Sequence, residues 1–326
     1  MENSLWLRKA LNNKSVNKRS ELPPLIKGGA FTHRQLTANG VKSHRVRAND
    51  ITKSSIYGVY LPEGLLFEDE QIMRSLQSHY PNSWASHFSA AKFHGLASPD
   101  APTKDSVHLS TLRGQAKIRR RGIASYQAVN AERIIFRRGI RWSSPERTVM
   151  ELARFSTVEE VVVMIDQLIR EPRPELEHRW EPLVNFETWK ALLPSWRSSG
   201  KSKLLEATQL ARVGSDSPPE TRLRLAILNA GLPEPSLQIE LPAGGWPRPS
   251  ADMGYEDLKI AVHYDGATHR SAKQQGTDNW RDNSFARLGW RNLRCSSVDL
   301  ANGFKNTCRQ LGMLIQEQRN VLGLTA

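Results

Sequence analysis

The chain has 326 residues, 39% of them hydrophobic and 24% charged, which suits two or three domains with real cores. No apolar run approaches the ~20 residues of a membrane helix, the start MENSLWLRKALNNK lacks a signal-peptide pattern, and the two cysteines, Cys295 and Cys308, form neither a disulfide framework nor a zinc spacing. The expected setting is a reducing cytoplasm with no membrane. Net charge is +13 and unevenly placed: residues 1–50 hold ten Lys/Arg against three Asp/Glu, residues 113–141 hold nine against one, and the chain from Gly214 onward is close to neutral.

In chain order, Thr32-His33-Arg34-Gln35 is a capping box that opens a short helix, and Gly40 closes it. A second short helix over Ser43 to Ala48 follows, and Ile51 to Leu61 has strand character with a bend at Gly58. Helix, tight turn, basic helix and β-ribbon is the order of a winged helix-turn-helix, expected over residues 1–62. Arg34, Lys42, His44, Arg45 and Arg47 are its candidate nucleic-acid contacts. Lys117, Arg119, Arg120 and Arg121 form the second candidate phosphate-tracking block. A solvated basic face is the alternative for both.

Residues 63–175 read as a middle α/β unit. Its helices are expected at Ser86 to Leu96, from a Ser143–Glu146 capping box to about Arg154, and over Thr157 to Arg170. Its strands are expected at Val107 to Ser110 and Ile134 to Phe136. The prolines between Glu171 and Pro182 mark a boundary, and residues 176–213 read as a helical connector containing Trp189 and Trp196.

Residues 214–326 carry the clearest chemistry. Ser217-Pro218-Pro219-Glu220 opens a helix, and Glu220, Leu223 and Ile227 share one face of it. If the two apolar residues pack on a sheet, Glu220 points at that sheet; a pure capping role would also explain it. Ser250 to Tyr255 and Leu258 to Asp265 form a hairpin through a two-residue turn, Glu256-Asp257, which sets Asp252 opposite Ala261. Alternation then gathers Asp252, His263 and Asp265 at one end, and Gly266 returns His269 to them. Carboxylates and histidines at a strand end suit a hard divalent cation and phosphate chemistry. A helix over Thr277 to Leu288 carries Arg281, a candidate phosphate contact, and leads to a strand from Trp290 to Cys295. Ser297 to Leu300 then leads into a terminal helix.

Three segments, SPPETRLRLAILNAGLPEPSLQ, SADMGYEDLKIAVHYDGATH and DNWRDNSFARLGW, together resemble very-short-patch-repair (Vsr-like) endonucleases of the PD-(D/E)XK superfamily, over about 100 residues. The front half, through GGAFTHRQLTANGV, YGVYLP, SAAKFHGL and RWSSPERTVMELAR, looks like the AbiEi-type antitoxin family. The implied fold class is a multidomain α/β and α+β chain: a winged helix-turn-helix, a middle α/β unit and a restriction-endonuclease-like α/β domain. The resemblance makes Glu220, Asp252 and Asp265 ligands of Mg²⁺ or Mn²⁺, and His263 or His269 a base or leaving-group acid. His263 departs from the family, which carries Glu before the Tyr-Asp-Gly. The implied function is metal-dependent hydrolysis of DNA phosphodiester bonds, in phage defence or repair, with RNA cleavage open to the same chemistry. The alternative is a non-enzymatic, antitoxin-like transcriptional regulator with a degenerate nuclease domain. The implied partners are DNA, a second copy of the chain, and a toxin or other defence-system protein.

Overall fold

The computed structural model describes residues 21–65, 69–102, 106–173, 177–241, 248–266 and 272–324. They fall into two compact units, one within Met1–Ala85 and Thr103–Trp142, the other within Ser86–Pro102 and Ser143–Ala326. The architecture is a mixed α/β and α+β arrangement with three sheets.

The first unit opens with α1 (Pro24–Lys27), β1 (Phe31–Thr32) and α2 (His33–Ala38). The capping box expected at Thr32 is present, with Gln35 Oε1 accepting the Thr32 amide at 2.6 Å. The second helix is a 3-10 turn over Ser43–Arg47. β2 (Ile51–Lys53) and β3 (Val59–Pro62) pair antiparallel, and β1 joins them to give the order β1-β3-β2. Leu22, Ile26, Phe31, Leu36, Val46 and Ile51 form the core beneath this sheet. α3 (Asp69–His79), which periodicity did not pick out, docks on β1, and Ser75 Oγ donates to Gln35 Oε1 at 2.9 Å. A five-stranded sheet completes the unit: β4 (Trp84–Ala85), β5 (Val107–Leu112), β6 (Ile123–Ala128), β7 (Ile134–Arg137) and β8 (Ile140–Ser143), in the order β6-β5-β4-β8-β7.

The second unit has two layers. One is helical: α4 (His87–His94), α5 (Pro145–Leu152), α6 (Val158–Ile169), α7 (Phe186–Leu192) and α8 (Lys201–Leu210). Gly95, left-handed at φ +67°, ends α4 as expected. The cap of α5 sits one residue later than the sequence suggested. Ser144 accepts from the Arg147 amide, and the Ser143 hydroxyl instead donates to the buried Glu151 at 2.9 Å. The segment expected as a connector is core. Trp189, Leu193, Leu204 and Ala207 are sealed into one cluster with Val149, Val161, Ile165 and Leu225.

The other layer is a mixed sheet. α9 (Pro218–Asn229) precedes β9 (Ser236–Glu240), β10 (Ser250–Tyr255) and β11 (Ile260–Asp265). α10 (Ala272–Arg287) crosses to β12 (Arg291–Ser296), and α11 (Ser297–Ala301) and α12 (Lys305–Val321) end the fold. The strand order is β12-β11-β10-β9, parallel only between β11 and β12. α9 belongs to both layers: Leu225 enters the helical core, while Leu223 and Ile227 pack with Met253, Ile260 and Val262 of the sheet.

β11 has the expected faces, with Ile260 and Val262 on one and Ala261 and His263 on the other, but the β10–β11 hairpin has a different register. Tyr255 pairs with Ile260, because the turn holds four residues, 256–259, with Lys259 left-handed at φ +50°. Shifting the register by two brings Asp252 level with His263 instead of Ala261. Strands β10 and β11 approach so closely at Gly254 that a Cβ there would lie 2.1 Å from the Ile260 carbonyl oxygen.

Candidate functional site

The site grows from the point where α9 meets the sheet. Glu220, in the first turn of α9, is buried with Leu223 and Ile227 on the same face. The capping box expected at Ser217 does not form. The Ser217 side chain does not accept a helix amide; its hydroxyl donates to Glu220 Oε1 at 2.7 Å, and the Asp216 amide donates to Oε2 at 2.9 Å. These two bonds hold the carboxylate in one orientation.

Asp252 stands where strand alternation fails. Ala251 packs with Phe285 and Ala261, whereas Met253 packs with Leu223 and Val262, so residues two apart on β10 enter opposite layers. The neighbouring strand shows the same reversal around Gln238, whose φ is +52°: Ile239 joins the Phe285 cluster and Leu237 the other. This twist at Asp252 brings its carboxylate within hydrogen-bond reach of the Tyr264 amide, which donates to Oδ2 at 2.7 Å.

Glu220 and Asp252 therefore converge from a helix and a strand. Burial, and next the charge of Asp252, push the Glu220 carboxyl up to about 7. Burial also raises Asp252, against the Tyr264 amide that favours its charged form. Asp216 contributes a third negative charge to both, itself raised by burial and held by Arg173 and Arg170. Two buried carboxylates that repel each other create a demand for positive charge. Their hard oxygens suit Mg²⁺ or Mn²⁺. Among the described residues, no group of three or more His, Cys, Asp or Glu side chains is gathered to hold a metal ion.

The other expected site residues are distributed differently. Asp265, at the end of β11, receives Arg294 Nη1 on both oxygens at 2.8 and 2.7 Å, and Arg294 also grips Asp282 of α10 at 2.6 Å. Asp265 is thus neutralised by an arginine on the neighbouring strand, which weakens it as a metal ligand. His263 is 1% exposed and sits edge-on to Phe285 with ring centroids 5.6 Å apart. Among the described residues neither ring nitrogen makes a well-formed hydrogen bond, although the Asn292 side chain acts on the ring and favours its charged form. Burial, then Arg281 and Arg294, push its pKa down to about 4. A neutral, sealed imidazole cannot exchange protons with a substrate entering from solvent, so His263 stands in the core beneath α10. His269 lies outside the described residues. Arg281, half-buried on α10, acts electrostatically on both Asp252 and His263.

Two participants were missed in the sequence. Asp216 and Arg173 pair beside the carboxylates, and Arg173 also reaches the Gln238 side chain. The alternation of arginines, prolines and glutamates in REPRPELEHR was read only as a boundary. That density of paired charge was the available signal.

The basic residues of the first unit also separate into roles. Arg45 is buried, and its guanidinium makes two bonds to Asp50 at 2.6 and 2.5 Å, so it braces the fold and is not a nucleic-acid contact. Arg34, Lys42, His44, Arg47, Lys117, Arg119 and Arg121 are exposed. Arg120 lies 5.3 Å from the centroid of the Tyr80 ring. His79 senses both Arg120 and Arg34: after burial, these two cations are what lower its pKa. Arg34 and Arg120, one from each basic block and far apart in sequence, therefore both act on His79. Beside them the Tyr57 amide donates to the Arg121 carbonyl at 3.1 Å, and the Tyr57 ring is 74% exposed.

No protein-family model matches the sequence, and no curated protein matches it. Among solved structures, the chain is similar to the RV2827C protein from Mycobacterium tuberculosis at 15% identity and a TM-score of 0.36, covering 60% of this chain and 74% of that one. A likeness this loose carries no argument about fold or function. Among the described residues no helix is long and apolar enough to cross a membrane.

Proposed function

We propose that the chain is a metal-dependent nuclease that engages DNA through the basic surface of its first unit and hydrolyses phosphodiester bonds at Glu220 and Asp252. The observation that carries this reading is the buried carboxylate pair, in which burial, and next the charge on Asp252, raise the Glu220 carboxyl to about 7. Glu220 and Asp252 would hold Mg²⁺ or Mn²⁺, which would neutralise the scissile phosphate and acidify an attacking water. The Asp216 amide and the Tyr264 amide orient the two carboxylates. Arg281 contacts phosphate, and Asp265 orients Arg294 instead of binding the ion. Proton transfer falls to His269, since the buried His263 ring is out of reach. The front half supports a winged helix-turn-helix reading through its capped helix, 3-10 turn and β2–β3 ribbon.

Supercoiled plasmid incubated with the purified chain and 5 mM-scale (~) Mg²⁺ or Mn²⁺ should be nicked or linearised. EDTA and Asp252→Ala should each abolish that activity. Cleavage unaffected by Asp252→Ala would overturn the assignment, and preferential cleavage of RNA would move the substrate from DNA to RNA.

A second reading is favoured by one pair of observations: Asp265 is saturated by Arg294, and His263 is sealed where the resembling family carries Glu. On that reading the nuclease-like unit is a scaffold, and the chain is an antitoxin-like transcriptional regulator that works with a partner protein. Sequence-specific retention of promoter DNA without metal-stimulated cleavage would select it.

A further inference from the structure

A groove of about 670 Å³ runs between α9 and α12, on a part of the second unit that the proposed cleavage site does not use. One wall is Arg222, Ala226 and Asn229, spaced four and three apart on α9 and hence on one face. The facing wall is Lys305, Arg309, Gly312 and Met313 of α12, again on one helical face. The floor is apolar, made by Leu232, Phe304 and Cys308. Met313 is 55% exposed, an unusual amount for a large apolar side chain beside a cleft.

The charge of the rim is one-sided. Among the described residues that line it, Arg222, Lys305 and Arg309 stand against one acid, Glu159, which pairs with Arg222 at 3.7 Å and leaves Lys305 and Arg309 to set the charge. Lys305 and Arg309 are both exposed. A phosphate backbone would match the cations but would cover the apolar floor with nothing apolar in return. Gly312 keeps the α12 wall low, since a Cβ there would already touch Leu232 at 3.4 Å. From Lys305 to Met313 the wall is about 12 Å long, roughly two helical turns. An occupant must offer an apolar stripe about two turns long flanked by acids.

We propose that this groove is a protein-docking site that receives an acidic amphipathic helix from a partner protein. Apolar side chains at spacings of three and four would fill the floor, with the unbranched Met313 side chain adapting to them. Glu or Asp side chains flanking that stripe would meet Lys305, Arg309 and Arg222.

The test is to pan a phage-displayed library of helical peptides on the immobilised full chain. The peptides recovered are then measured by fluorescence anisotropy against the wild type, the double variant K305E/R309E and Gly312→Leu. The two charge reversals lie on exposed positions, and circular dichroism melting confirms that each variant folds. The expected result is enrichment of acidic peptides with apolar residues at helical spacing, bound about tenfold or more weakly by K305E/R309E and weakened by salt. Gly312→Leu, which fills the groove without altering charge, should weaken the same peptides. Recovery of peptides without acidic character would overturn the proposal, as would equal binding to K305E/R309E. Displacement of the peptides by a 20-base-pair-scale (~) DNA duplex, with duplex binding lost in K305E/R309E, would assign the groove to nucleic acid and overturn it as well.

Discussion

Replacing Arg224 by methionine tests whether the helical layer and the mixed sheet form one cooperative unit. Arg224, on α9, is fully buried; its Nη2 donates to Asp166 Oδ2 at 3.1 Å, and Asp166, on α6, is 1% exposed. Asp166 also accepts from the Arg212 amide at 2.8 Å and the Thr221 hydroxyl at 3.0 Å. Methionine fills much of the arginine volume and strands the carboxylate. Removing one partner of a buried pair costs about 3–5 kcal/mol, a large share of the roughly 5–15 kcal/mol that holds a domain folded. Arg224→Met/Asp166→Asn removes the stranded charge and keeps an acceptor for the Arg212 amide, with the new NH2 turned toward the Thr221 hydroxyl oxygen, so it should recover roughly half of the loss.

The effect also has a pH signature. Burial raises Asp166 from the ordinary 3.8 to about 6, with Arg224 opposing the rise. Stability linked to a raised carboxyl is complete below about 4 and is lost as pH rises through the folded value. Without Arg224 the folded value climbs further, so the destabilisation should be larger at pH 8 than at pH 5. Urea unfolding followed by circular dichroism at both pH values measures this, and the second unit should unfold in one transition. A loss below about 1 kcal/mol, no dependence on pH, or no recovery in the double variant would refute the reasoning.

Four further outcomes follow from the geometry. Asp252→Asn removes the charge that helps to raise Glu220 to about 7. Since stability linked to that raised carboxyl is lost as pH rises through about 7, the variant in EDTA should melt about 2–4 °C above the wild type at pH 8 and match it at pH 5. It should also lose any stabilisation by Mg²⁺; equal melting at both pH values would count against the coupled pair. His263, depressed from 6.5 to about 4 by burial, contributes stability that is present above about 6.5 and lost as pH falls through about 4. His263→Phe should flatten the fall in melting temperature between pH 6.5 and pH 4, and an unchanged acid limb would contradict the buried placement. Arg45→Ala should lower the melting temperature, because it strands Asp50. Arg34→Ala and Arg121→Ala should leave melting unchanged and reduce the salt slope of DNA binding by about one each.

Local features were legible because they are written within a few residues. The Thr32–Gln35 box, the Gly95 terminus and the shared face of Glu220, Leu223 and Ile227 all stand as expected. The faces of β11 were legible through alternation, but the reversal at Asp252 on β10 and the register were not, since a left-handed Lys259 gives no signal that separates a four-residue turn from a two-residue one. β9 was missed because Gln238 breaks the period-two pattern on which strand recognition depends. The break expected near residue 175 was read from prolines. Whether a segment is connector or core depends on distant partners, and Trp189 finds its partners in Val149 and Ile165 of preceding helices. The neutralisation of Asp265 was also invisible, because Arg294 reaches it only through the parallel pairing of β11 with β12.

The same irregular Gln238 has a consequence for behaviour in concentrated solution. Within the four-stranded sheet, β9 and β12 are the outer strands, and an outer strand offers unpaired backbone groups to any other chain. The positive φ at Gln238 interrupts β9 in its middle, so no long flat ribbon is presented there. On the opposite border, the exposed Arg291 charges β12. Both margins of the sheet are thereby poor templates for cross-chain β-pairing, and the twist that sets Asp252 in place also guards the fold against aggregation.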